Sequence, residues 1–264
     1  MPNYVRNQLF FDPGCAPIIA KECLIDGKEF SFNSIIPCPK DLEIEYGSRS
    51  EDGLRLYLSK ISPDCADYFS PSDKVDEVYY NKVMRLVEPQ LLFHKASDIL
   101  LKKEDFEKLK DKYKDEFYDI VELGHKQVTN LEKYGYLNWY KFKIAEWGCK
   151  WDATNTNYDG QTISFDTPWD PPIPAILKLA EKHSDLRIGL VYADESIGNH
   201  VGYLLIDKGK VVMQGSFEDQ SKPAMNFAIR LWDLRDEYVL DKKIDNFVHK
   251  DHKMKKNNLE MEAF

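Results

Sequence analysis

No C-x-x-C pair occurs in this sequence, and no apolar run approaches the roughly 20 residues needed to span a bilayer. The five cysteines, Cys15, Cys23, Cys38, Cys65 and Cys149, are scattered and odd in number. That pattern argues against a disulfide framework or a structural zinc site and predicts reduced thiols in the core or at its boundary. The opening residues MPNYVRNQ carry none of the apolar core of a secretion signal, so a cytoplasmic protein with no membrane partner is expected. Walker A, H-E-x-x-H and G-x-S-x-G sequences are missing, as is a G-x-G-x-x-G after a strand. Their absence argues against those enzyme classes, and the expectation is a chain without catalytic residues, cofactor or metal. Positive charge is also in short supply: 36 Lys and Arg stand against 45 Asp and Glu, a formal charge of -9. Such a chain repels nucleic acid unless a basic face is segregated.

What the chain does have is core-forming material, 43% hydrophobic and 13% aromatic over 264 residues, enough for one large domain or two small ones. Trp139, Trp147, Trp151 and Trp169 fall in one stretch, from Asn138 to Trp169. There Asn138 is placed to cap a helix, Tyr140, Ile144 and Trp147 recur at helical spacing, and Gly148 sits where a left-handed C-cap falls. Beyond it Ile163, Phe165 and Thr167 alternate with polar neighbours, and Asp159-Gly160 predicts a two-residue hairpin turn.

On either side the patterns continue. Val5, Leu9 and Phe11 predict a first strand over Tyr4 to Phe11, Pro17 to Leu24 a short helix, and Phe30 and Phe32 a second strand. After Asp170-Pro171-Pro172, Ile173, Ile176, Leu177 and Ala180 share a helical face. Ile188, Leu190 and Tyr192 then alternate, and Val201 to Ile206 and Lys210 to Phe217 pair around Lys208-Gly209. A last helix buries Ala224, Phe227, Ala228 and Leu231. Strict βαβ alternation is lacking, so the fold class expected is α+β, an antiparallel sheet backed by helices. Between about Gly47 and Tyr136 the period is helical throughout, with Phe106, Leu109, Tyr113, Phe117 and Ile120 as an apolar stripe among dense Lys, Asp and Glu. The domain reading is a discontinuous α+β domain from 1–46 and 137–240, a helical insertion at 47–136 and a mobile tail at 241–264. Phe93, His94 and His125 are isolated in the insertion. His249, Asp251 and His252, on the tail, point to adventitious metal binding at most.

Four ordered motifs, MPNYVRNQL, SFNSIIPCPKDLE (31–43), AEWGCKWDA (145–153) and FDTPWDPP (165–172), resemble the YubB-type ferredoxin-like family of phage, plasmid and prophage proteins. The resemblance covers some forty N-terminal residues and the stretch from about Asn138 to Trp232. It implies a ferredoxin-like α+β domain and a mobile-element origin, and it supplies no catalytic residues. The family pattern has a small polar residue where Cys149 stands, so it lends no support to a redox role there.

The richest chemistry is aromatic and acidic. Trp151 and Trp169 could stack on a flat ligand while Lys150 or Arg187 meets its phosphate, with Asn7 lining the same pocket, and Asp152 and Asp170 lie beside the rings. The structural reading of the same residues packs both rings between helix and sheet and has Asn7 bonding backbone. Asp152, Asp166, Asp170 and Asp194, if convergent, could hold Mg²⁺ in a phosphodiesterase or nuclease, although aspartates at strand and helix ends are common caps. The preferred reading is a non-catalytic binding protein of a phage or mobile element that engages a host protein or a small, nucleotide-like ligand, as a counter-defence factor. The hydrolase is the alternative. An acidic mimic of nucleic acid ranks third, because lysines interleave the acids.

Overall fold

The computed structural model describes residues 3–69, 76–90 and 96–251, and Phe93, His94 and His252 lie outside them. Two compact units are present: Met1–Pro37 with Lys143–Phe264, and Cys38–Phe142. The first opens with β1 (Tyr4–Phe11), which buries Val5, Asn7 and Leu9 on one face and leaves Tyr4, Arg6 and Gln8 partly exposed on the other. In α1 (Ala16–Cys23) Pro17 is tolerated in the first turn, where an N–H has no partner anyway, and Ala16, Ile19, Ala20 and Cys23 are buried. A short hairpin of β2 (Leu24–Ile25) and β3 (Glu29–Phe30) follows.

The strand expected through Phe32 stops at Phe30, and α2 (Phe32–Ile35) is a single helical turn. Its cause is remote in sequence. The Asp152 carboxylate accepts the Ser31 hydroxyl at 2.6 Å and the Phe32 N–H at 2.7 Å, and the Ile36 N–H closes the turn on the Phe32 carbonyl at 2.8 Å. Both phenylalanines still reach the core: Phe30 stacks on Phe165 at 4.7 Å, and Phe32 meets the same ring edge-on at 5.7 Å.

The second unit is built from α3 (Ser48–Ile61), α4 (Glu77–Val87), α5 (Lys103–Tyr113) and α6 (Phe117–Tyr134) around Leu56, Leu58, Val83, Val87, Phe106 and Ile120. Phe106, Leu109, Tyr113, Phe117 and Ile120 are all buried, yet they belong to two helices, because the backbone breaks at Lys114 with φ 45°. Charged side chains pair from helix to helix around this core, as Lys82 with Glu132 and Lys112 with Asp52, both at 2.8 Å. Where α3 meets α6 the contact is backbone to backbone. A Cβ added to Gly124 would stand 1.9 Å from the Gly53 carbonyl oxygen.

The division between the units falls within α7 (Trp139–Glu146). The Asn138 side chain caps its start, accepting the Tyr140 and Lys141 N–H groups at 3.1 Å, and Gly148, at φ 85°, follows its end. Phe142 is the buried residue on this helix, whereas Ile144 is exposed, so the buried face is rotated from the one its spacing predicts. Trp147 is sealed in and donates its indole N–H to the Ile36 carbonyl at 2.9 Å.

The rest of the first unit is β4 (Thr154–Tyr158), β5 (Thr162–Pro168), α8 (Ile173–Lys182), β6 (Ile188–Asp194), β7 (Gly202–Asp207), β8 (Lys210–Ser216), α9 (Lys222–Leu231), β9 (Tyr238–Asp241) and β10 (Asn246–His249). Between β4 and β5 only Gly160 has positive φ. Asp159 instead keeps negative φ, and its carboxylate gathers the Gln161 and Thr162 N–H groups at 2.8 and 2.7 Å, so the turn is longer than two residues. The two-residue turn with both φ positive occurs at Lys208-Gly209. β9 and β10 pair with each other, so strand pairing runs through the stretch that begins at Asp241, and residues 252–264 lie outside the described residues.

Six strands form one antiparallel sheet in the order β4-β5-β1-β6-β7-β8. Taken in chain order, β1-α1-β4-β5-α8-β6 is the βαββαβ sequence of a ferredoxin-like fold, extended by β7 and β8 at one edge. Val5, Leu9, Ile163, Phe165, Ile188 and Leu190 face the α1 and α8 side and are fully buried. On the opposite face, Ala193 and Val201 pack against Ala224 and Ala228 of α9. No helix among the described residues is long and apolar enough to cross a membrane.

Burial also sets the thiols apart. Cys23 is pushed up to about 12 by desolvation with Glu22 beside it, and burial likewise raises Cys65 and Cys149, whereas Cys15 and Cys38 are partly exposed. The thiolate is the reactive form, so iodoacetamide near pH 8 is expected to label Cys15 and Cys38 and to reach the other three only after denaturant is added. Peptide mass spectrometry reads this directly, and native labelling of Cys23 or Cys149 would contradict it.

Candidate functional site

At the end of the sheet where β5 leaves and β1 enters, Trp151 and Trp169 come together with ring centroids 5.8 Å apart and planes inclined by 34°. They are 42% and 43% exposed, so neither is the core residue that packing between helix and sheet would make it. The Lys150 ammonium lies 4.7 Å from the Trp151 ring centroid and 5.6 Å from that of Trp169, over both faces.

The scaffold beneath this pair is built for position. Trp169 adopts φ 65°, a left-handed conformation uncommon for a bulky residue, and its N–H is held by the Asn3 carbonyl at 2.8 Å. Below it a relay starts at Asn7, which is fully buried. Its amide donates to the Thr167 hydroxyl at 2.8 Å, and that hydroxyl donates to the Asp170 carbonyl at 2.8 Å. The same amide also donates to the Val5 carbonyl at 2.9 Å, while Asn7 Oδ1 has no partner among the described residues. Asn7 therefore supports the turn that carries Trp169 from underneath. On the Trp151 side, Cys149 Sγ donates to the Trp151 carbonyl at 3.3 Å.

Arg187 is placed elsewhere. It precedes Ile188, which pairs with Phe11, whereas Trp169 follows Pro168, which pairs with Tyr4. The seven residue steps from Tyr4 to Phe11 along β1 separate Arg187 from the tryptophans by roughly 23 Å at about 3.3 Å per step. Its guanidinium reaches Asp207 at 3.3 Å. It is not available to meet a phosphate at the rings.

The aspartates have separate tasks. Asp152 anchors α2, Asp194 accepts the Ser196 N–H at 2.7 Å, and Asp166 is buried against Arg6 in a two-pronged pair whose second contact, Nη2 to Oδ2, is 3.2 Å. Asn155 completes Asp166 with a donor at 2.9 Å. Among the described residues no group of three or more His, Cys, Asp or Glu is disposed to hold a metal ion.

Residues 146–235 match the family model for the ferredoxin-like domain in Api92-like protein. That is about a third of the chain, and it includes every candidate residue except Asn7. Its limits leave out β1, the strand that sits between β5 and β6 and completes the sheet. A crystal structure of the protein api92 from Yersinia pseudotuberculosis aligns with 84% of this chain and 100% of its own, at 12% identity and a TM-score of 0.37. No curated protein matches the chain.

Two features of the first unit escaped the sequence reading. One is Arg6, the partner of Asp166, whose guanidinium also lies 4.5 Å from the Trp232 ring. The other is an open cavity of about 690 Å³ lined by Met225, Tyr238, Phe247 and His249. The short apolar run Tyr238-Val239-Leu240 was the available signal for the hairpin that forms it, obscured by the mixed charge that follows.

Proposed function

We propose that this chain is a non-catalytic binding protein and that the Trp151–Trp169 pair, with Lys150 over it, is the patch that engages a partner protein. The observation that carries this is two large, half-exposed rings on a braced turn. Tryptophan is the residue type most enriched among binding hot spots, and a preordered pair loses little entropy on binding. A nucleotide is the weaker occupant. A base inserted between the rings needs about 7 Å of parallel separation, two contact distances of roughly 3.5 Å, and these rings are closer and inclined. Nothing in the arrangement of the aspartates favours hydrolysis.

The finer reading belongs to the same proposal: a phage or mobile-element protein acting in the host cytoplasm to blunt a defence. Its support is the four-motif resemblance to the YubB-type family. The division of the chain into a discontinuous ferredoxin-like domain, 1–46 with 137–240, and a helical insertion, 47–136, belongs to the proposal as well; the βαββαβ strand order supports its discontinuity, while the compact units divide at Pro37 and Lys143. Trp151→Ala and Trp169→Ala are each expected to weaken capture of the partner from host lysate by at least ~30-fold, about 2 kcal/mol, with melting unchanged. A captured set identical for the wild type and both variants, or a thermal shift with nucleotides in place of protein capture, would overturn the proposal.

A further inference from the structure

The six-stranded sheet ends in two very different edges. At one, β4 is polar (TNTNY), carries a register shift and the left-handed Asn155, and is partly covered where the Phe30 N–H donates to the Thr156 hydroxyl at 3.0 Å. Those are the devices by which proteins blunt a strand against further pairing. At the other edge β8 pairs only with β7 among the described residues, and its run Val211, Val212 and Met213 is 42%, 57% and 55% exposed. No proline or charge interrupts it between Val211 and Ser216, and a single register shift near Val212 bends it. Three consecutive exposed apolar residues on an open strand are costly to leave in water and form a template for another strand.

We propose that β8 is the interface through which two copies of this chain pair, edge to edge and antiparallel, joining their sheets into one. The second copy is chosen by self-complementarity. The strand is flanked by Lys208 and Lys210 at its start and by Glu218 and Asp219 at its end, all exposed. An antiparallel two-fold axis places each start against the other copy's end. From Met213 to Ser216, past the register shift, side chains alternate faces, so such an axis must pass through a residue. Centred on Gln214, it sets Met213 opposite Gly215, so a large apolar side chain meets a glycine, and it brings the Lys208–Val212 start of each strand against the Ser216–Asp219 end of the other, lysines toward acids. A strand from an unrelated protein has no reason to match this order of charges. The inference uses no residue of the tryptophan patch and stands or falls apart from it.

Light scattering on the full chain at about 100 µM is expected to give twice 30.8 kDa, shifting to 30.8 kDa in Met213→Glu, which places a charge in the paired edge and leaves the core untouched. Gln214→Cys is expected to cross-link to a disulfide dimer under oxidised glutathione, which accepts the two electrons of the paired thiols, while the wild type with its native cysteines does not. A monomeric wild type at that concentration overturns the proposal, whether or not the edge then captures some other strand. So does a dimer that Met213→Glu leaves intact while Gln214→Cys fails to cross-link.

Discussion

Gly124→Ala is expected to destabilise the helical unit by about 3 kcal/mol, although alanine is the better helix former by about 1 kcal/mol. Both Gly53 and Gly124 lie inside helices, where glycine is unfavourable, so some compensating contact must hold them there. That contact is the close approach of α3 and α6. A Cβ at Gly124 would lie 1.9 Å from the Gly53 oxygen, 2.4 Å from its carbonyl carbon and 2.8 Å from the Tyr57 Cβ. Backbone cannot rotate out of the way as a side-chain tip can, so the two helices must separate. The packing of Tyr57, Ile120 and Val121 around the crossing is then loosened. For a unit of this size the loss corresponds to a fall in melting temperature of roughly 10 to 20 °C, read by circular dichroism at 222 nm. Gly53→Ala, whose Cβ would meet the Ile120 oxygen at 2.6 Å, should act in the same direction and less strongly. An unchanged melt for Gly124→Ala would mean that the helices do not cross at these two residues.

Arg6→Ala should cost about 3 kcal/mol, the low end for stripping a buried ion pair of one partner, because the arginine is 27% exposed while the Asp166 side chain is 3% exposed. What is lost is a junction. The guanidinium holds Asp166 on β5 from β1, and it also lies over the Trp232 ring just beyond α9. Without it the carboxylate keeps only the Asn155 amide, and a charge in the sheet is left nearly unmatched. Asp166 lies three residues before Trp169, so the strand end that braces the tryptophans is the part expected to loosen. Adding Asp166→Asn to Arg6→Ala removes the stranded charge and should restore roughly half of the loss, which separates the ion pair from the ring contact. Equal destabilisation in the single and double variants would assign the effect to the Trp232 packing alone. Urea unfolding followed by tryptophan fluorescence measures both.

Much of the scaffold was readable from one-dimensional pattern. The alternation of Val5, Leu9, Ile163, Phe165, Ile188 and Leu190, the Asn138 cap and Gly148 are local signals, and each appears where its spacing puts it, because periodicity and capping depend only on near neighbours. The segment around Phe32 did not obey its pattern. Its conformation is settled by Asp152, 120 residues away in the chain, and no local rule contains that carboxylate. The candidate site divides in the same way. Trp151, Trp169 and Lys150 stood out by composition, but that the rings meet each other and stay open to solvent depends on how the ends of β1 and β5 are joined, through Asn3, Asn7 and Thr167. Arg187 shared the right chemistry and was excluded by register alone, since an antiparallel sheet sends the start of β6 to the opposite end. From sequence alone came the fold class, the helical character of the middle of the chain and the negative charge, all of which are sums over neighbouring residues. Only the tertiary structure decided which polar groups became partners and which aromatic rings stayed exposed, because those follow from strand order and long-range contact, and a contact has no period in the chain.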